Sequence, residues 1–165
     1  MRRAQTWVFD YLAGFLMFVF LLFLSINLFQ SIDARSDFDV VSREVDRVSV
    51  SLMSEGFPHN WSSVSVASPG ILSDGKVNLS KLALFDSLGY SRSKSLMQVT
   101  GEYLFYFKNE SGVMSVGGLC VRGMHPAPFD CIVPEVSYFY EDLAWTERIV
   151  VLDSKIVSLV VVVWR

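Results

Sequence analysis

The sequence predicts an α+β protein: a long N-terminal helix, transmembrane in its first half and amphipathic in its second, carrying a small, mostly antiparallel β head. Three observations predict it. Trp7 to Phe29 holds one charged residue, Asp10, in 23 positions. Phe38, Val41, Val45, Val48 and Leu52 then recur at spacings of 3, 4, 3 and 4 with charge between them, the pattern of a helix with one apolar seam. After Trp61 the chain turns to short β-branched and aromatic runs separated by Gly, Pro, Asn and Asp, the signature of strands and turns.

The apolar run comes first. As a helix, 23 residues span about 35 Å, enough to cross a hydrocarbon core of about 30 Å with some tilt. A secretory h-region is shorter, about 7–15 residues, and ends at a small-residue cleavage site. Gln30-Ser-Ile-Asp33 makes a poor site of that kind. Arg2 and Arg3 precede the span, and the next cation, Arg35, follows it among Asp33, Asp37 and Asp39. The positive-inside rule therefore predicts a single-pass protein with a cytoplasmic N-terminus and an extracytoplasmic head. A net charge of −3 and the lack of a basic patch point away from nucleic acid.

The seam extends the helix to about Ser54, with Glu55-Gly-Phe-Pro58 as its stop. Val64 and Val66, alternating with serines, read as extended chain; Pro69-Gly70 and Asp74-Gly75 read as turns. Asn78 is placed to cap a helix from Leu79 to Leu88 that ends at Gly89, and a further turn or two is expected through Ser93 to Val99. Tyr103–Lys108 and Val113–Val121 flank Asn109-Glu-Ser-Gly112 as a hairpin. Ile132–Tyr140 is a further expected strand. Arg148–Leu152 and Ile156–Trp164 form a last hairpin around Asp153-Ser-Lys155, and the run Val160 to Val163 suits a strand covered on both faces.

Cys120 and Cys131 are the only cysteines, with ten residues between them. Outside the cell they are expected to close one loop as a disulfide, worth about 3 kcal/mol. Three N-x-S sequons, at Asn60, Asn78 and Asn109, offer glycan acceptors on the same side of the membrane.

Other motifs carry less. Gly70 to Lys76 has the spacing of a phosphate-binding loop, but Val77 stands where Ser or Thr must hold magnesium, so a turn explains the glycines better. Cys120, His125, Asp130 and Cys131 lack the paired-cysteine spacing of zinc sites. His59, between Pro58 and Trp61 in the chain, reads as a turn residue. No nucleophile, base and orienting partner can be nominated, so the chain is read as a non-enzyme without metal or cofactor.

The opening residues Arg2-Arg3-Ala4-Gln5 carry a resemblance. Two cations, a small residue and Gln5 ahead of a retained apolar helix resemble the class III signal of archaeal type IV pilin-like proteins. The resemblance covers residues 1 to about 30 and the general plan of long helix and β-rich head. It implies cleavage between Ala4 and Gln5 by a prepilin peptidase. It also implies assembly with other pilin-like subunits, identical or not, into a surface filament, in adhesion or a related role. The organisation that follows is a leader (1–4), a membrane and filament-core helix (5–30), its amphipathic extension (31–56) and an extracytoplasmic head (57–165). In bacterial type IV pilins a glutamate at the fifth mature position is thought to meet a neighbour's amino terminus. Here that position is Phe9, and the acid is Asp10 at the sixth. Asp10 therefore has two readings, a subunit contact or a side chain snorkelling toward water. Six of the thirteen phenylalanines lie between Phe9 and Phe29, suited to lipid or to identical helices, with Ala13-Gly14 as a close-approach point. The competing reading is a membrane-tethered binding domain that never polymerises.

Overall fold

The computed structural model describes residues 2–124, 131 and 142–165, and the side chains of 2–10 and 29–37 lie outside that description. The expected strand Ile132–Tyr140, with His125 and Asp130, falls outside the described residues. The chain divides into two units, Met1–Asp37 and Phe38–Arg165. One helix, α1 (Arg2–Leu52), supplies nearly all of the first and opens the second. It begins earlier than the apolar run and ends two residues before the expected Ser54.

In the second unit, the seam of α1 is buried as its spacing requires: Val41, Val45, Val48 and Leu52 are all at most 4 % exposed. Phe38 departs from expectation, since its ring is 51 % exposed. After α1, Gly56 takes a φ of +77°, and a Cβ there would lie 2.5 Å from the Trp61 ring. Gly70 backs onto the Gly56 nitrogen, while the Trp61 Nε1–H donates to the Gly70 carbonyl at 3.2 Å. Glycine is needed at both positions for the indole to seat there.

The expected extended segment around Val64 and Val66 is instead a serine-bonded turn. The Ser62 amide donates to Ser65 Oγ and the Ser65 amide to Ser62 Oγ. Serine hydroxyls compete for backbone partners that a ladder would need. The glycines read as a turn do form one: β1 (Leu72–Ser73) and β2 (Lys76–Val77) pair antiparallel across Asp74 and Gly75, both at positive φ. Helix α2 (Leu79–Leu88) matches its predicted bounds. Helix α3 (Tyr90–Leu96) starts three residues before the expected Ser93.

Strands β3 (Glu102–Asn109), β4 (Gly112–Met114), β5 (Val121–Gly123), β6 (Leu143–Leu152) and β7 (Lys155–Trp164) complete the sheet in the order β1-β2-β6-β7-β3-β4. Every pairing is antiparallel except β2 with β6. Val113–Val121, read as one strand, is two. Gly117 and Gly118, at φ +62° and +84°, reverse the chain between Val116 and Leu119. Strands β4 and β5 thereby share one edge of β3. The last hairpin is longer than expected, since β6 starts at Leu143, and Asp153-Ser154 turns it with both residues at positive φ.

The valine run is covered on both sides. Val157, Leu159, Val161 and Val163 join the α1 seam, Tyr103, Phe105 and Phe107 in the main core. Val160, Val162 and Trp164 join Leu104, Tyr106, Cys120 and Val121 in a second cluster on the other face. Alternation along β3 and β7 thus feeds two cores, and neither strand needs a polar face.

Candidate functional site

The first unit carries the candidate surface. Tyr11–Leu28 contains no Asp, Glu, Lys or Arg, has a mean hydropathy of 2.2, and is long and apolar enough to cross a membrane. Every residue of it is exposed. Its large side chains, among them Phe15, Phe18, Phe20 and Phe23 at 56–63 %, face outward on all sides of the helix. Ser25 and Asn27 bond back to their own helix: Ser25 Oγ donates to the Leu21 carbonyl at 2.9 Å and Asn27 Nδ2 to the Phe23 carbonyl at 2.8 Å. Polar atoms satisfied on their own helix suit hydrocarbon, where water offers no partner. Among the described residues nothing lies within 4 Å of a Cβ built on Gly14, which leaves the Ala13-Gly14 surface open to close approach. Ala4, Gln5 and Asp10 lie on the α1 backbone, and their side chains fall outside the described residues.

Of the head positions, the cysteines come together: Cys120 and Cys131 form a disulfide with Cα atoms 5.2 Å apart. The three sequons stay apart and differ in setting. Asn60 and Asn109 are exposed, Asn109 at the end of β3, where its Oδ1 accepts from the Ser111 amide of the following turn at 2.8 Å. Asn78 is half-buried and occupied at both ends. Its Oδ1 accepts from the Ser80 and Lys81 amides at 2.9 and 3.2 Å, and its Nδ2 donates to Ser73 Oγ at 3.1 Å. The atom that would carry a glycan is the one already bonded to Ser73.

Three polar arrangements escaped the sequence reading. Glu44 is only 4 % exposed. Its carboxylate accepts from the Thr100 amide and hydroxyl and from the Gly101 amide, with the Arg165 guanidinium 3.9 Å away. Burial alone would raise its pKa, but those hydrogen bonds, with help from Arg165, hold it below the ordinary range. Its position was the available signal, because Glu44 sits three residues after Val41 and four before Val48, on the seam itself.

Arg122, also 4 % exposed, grips both oxygens of Asp86 at 2.8 and 3.1 Å and donates to the Val116 and Leu119 carbonyls. It ties the Gly117-Gly118 turn to α2. Beside it, Tyr103 hydrogen-bonds Ser93 and stacks on Tyr90 with ring centroids 5.3 Å apart. Tyr90 in turn donates to Glu102, which Lys94 also holds at 2.8 Å. Burial pushes the Tyr103 phenol up to about 12 and raises Tyr90 as well. Both stay protonated and serve as hydrogen-bond donors. A cavity of about 170 Å³ opens among these groups, and no buried side-chain polar atom of the described residues lacks a partner. With its charges paired, this arrangement braces α2, α3 and β5 against β3. Among the described residues no cluster of His, Cys, Asp and Glu is placed to hold a metal.

No protein family, curated protein or solved structure matches the chain.

Proposed function

We propose that the chain is a structural, minor pilin-like subunit of an archaeal type IV pilus-like surface filament, processed by a prepilin peptidase between Ala4 and Gln5. The observation that carries the reading is the first unit: a helix apolar on every side from Tyr11 to Leu28, exposed throughout, with Ser25 and Asn27 bonded back to their own turn. Such a surface is at rest only in lipid or against other apolar helices. A filament subunit needs both environments in succession. In this reading Arg2 and Arg3 hold the N-terminus in the cytoplasm until cleavage, and the head stands outside. The disulfide and the three sequons suit that compartment.

The test is the N-terminal residue and intact mass of the protein taken from its native membrane, with and without reductant. A chain beginning at Gln5, about 2 Da heavier after reduction, is the expected result. A chain retaining Met1 or Arg2 would overturn processing and leave a single-pass tether for an extracytoplasmic binding domain.

A further inference from the structure

The three sequons are equivalent in the sequence and unequal in the folded head. Asn109-Glu110-Ser111 leads from β3 into β4: Asn109 pairs with Gly112, and Glu110 and Ser111 form the turn between them. All four residues are exposed. Asn109 Oδ1 accepts from the Ser111 amide, and among the described residues neither Asn109 Nδ2 nor the Ser111 hydroxyl has a hydrogen-bond partner. These are the two groups that define an acceptor sequon. Gly123 and Leu143, which flank the stretch outside the description, pair toward the opposite end of β3, Gly123 with Leu104 and Leu143 with Trp164, itself opposite Glu102.

The other two sequons are engaged. At Asn60 the middle residue, Trp61, is 3 % exposed and its indole is bonded to the Gly70 carbonyl. The Ser62 hydroxyl is shared with Ser65. Lifting that sequon into an enzyme would unseat the indole from the core. At Asn78, Nδ2 is bonded to Ser73 while Oδ1 caps α2, so reaching the acceptor nitrogen means disturbing a helix cap.

We propose that Asn109 is the glycan acceptor of the folded head and that Asn60 and Asn78 are passed over. The proposal rests on the extracytoplasmic placement of the head. The donor is a lipid-linked sugar phosphate, and the catalyst is a membrane-bound oligosaccharide transferase. Asn109 Nδ2 bonds to the anomeric carbon of the sugar and gives up one proton. The bond from that carbon to the phosphate oxygen breaks, and the lipid phosphate leaves with the electron pair.

The experiment takes the full chain from its native membrane and reads its intact mass and that of the peptide holding residues 109–111. Wild type is expected to carry one glycan. Asn109→Gln and Ser111→Ala should each lose all of it, whereas Asn60→Gln and Ser80→Ala should keep it. Ser111→Ala retains the amide that Asn109 accepts from, so it carries the test if Asn109→Gln does not fold. Lys76→Cys, exposed on β2, reports the side of the membrane independently, and a membrane-impermeant maleimide is expected to label it in intact cells. Labelling with no sugar on the chain, or with sugar on Asn60 or Asn78, overturns the proposal and leaves the placement of the head standing. Failure to label overturns the placement and the proposal with it.

Discussion

Glu44 joins α1 to the start of β3 from a position that the sequence disguises. Glu44 satisfies the spacing of an apolar seam, yet it is a carboxylate, and a reading by polarity assigns it to the solvated face. What decides its burial lies 56 residues away. The Thr100 and Gly101 amides need an acceptor where the chain enters β3, and Glu44 supplies it. Hydrogen bonds to a charged group are each worth about 1.5–3 kcal/mol, and removing the charge strands the buried donors. Glu44→Gln is therefore expected to destabilise the head by about 2 kcal/mol, measured by thermal or denaturant unfolding. The pH dependence has a definite sign. The folded pKa lies below the unfolded value, so this stabilisation is complete above the ordinary glutamate pKa of about 4.3 and is lost as pH falls through the folded value. The wild-type head should lose more stability than Glu44→Gln between about pH 5 and 3; parallel pH profiles would refute the assignment.

Elements were legible where a local rule and the tertiary structure agreed. The α2 bounds follow from Asn78 and Gly89 because a cap and a terminator act within one turn of the residues they serve. The two-faced burial of β7 follows from an unbroken β-branched run. Reading failed where a local signal had two outcomes. Val113–Val121 looks like one strand until Gly117-Gly118 is given its positive φ, and the alternating serines near Val64 look like a strand until their hydroxyls are given to neighbouring amides. Arg122 had no sequence signal, since its Asp86 partner is 36 residues away. Asn78 illustrates a conflict at this scale, because one side chain is both cap and sequon. Asn78→Ala is expected to cost about 1 kcal/mol through the lost cap. Ser80→Ala, which abolishes the sequon but keeps the Ser80 amide, should stay within about 0.5 kcal/mol. A glycan at this site would appear as a mass difference between wild type and Ser80→Ala; equal unfolding of the two alanine variants would instead refute the capping role.

At the scale of the whole molecule, the chain joins two units of different surface character. The second is stabilised by its own main core, its second cluster and the Glu44 and Arg122 bonds, and all of these lie between Phe38 and Arg165. In the first, the described side chains from Tyr11 to Leu28 are all exposed and mostly apolar, a surface suited to lipid or to other apolar helices. Gly14 separates those two environments because nothing among the described residues lies within 4 Å of a Cβ built on it. In lipid, replacing it with leucine adds apolar surface and helix propensity and should leave membrane insertion intact. Between closely packed helices, the same change replaces a small residue that lets two backbones approach with one too bulky to allow it. On the proposed filament reading, Gly14→Leu is therefore expected to lower the yield of filaments at least tenfold, with membrane insertion retained and the head unfolding at the wild-type temperature. Filaments counted by electron microscopy, alongside membrane fractionation and head unfolding, separate the outcomes. Unchanged filament yield would place Gly14 outside the packed helix surface, and loss of insertion or of head stability would show that the two units are not energetically independent.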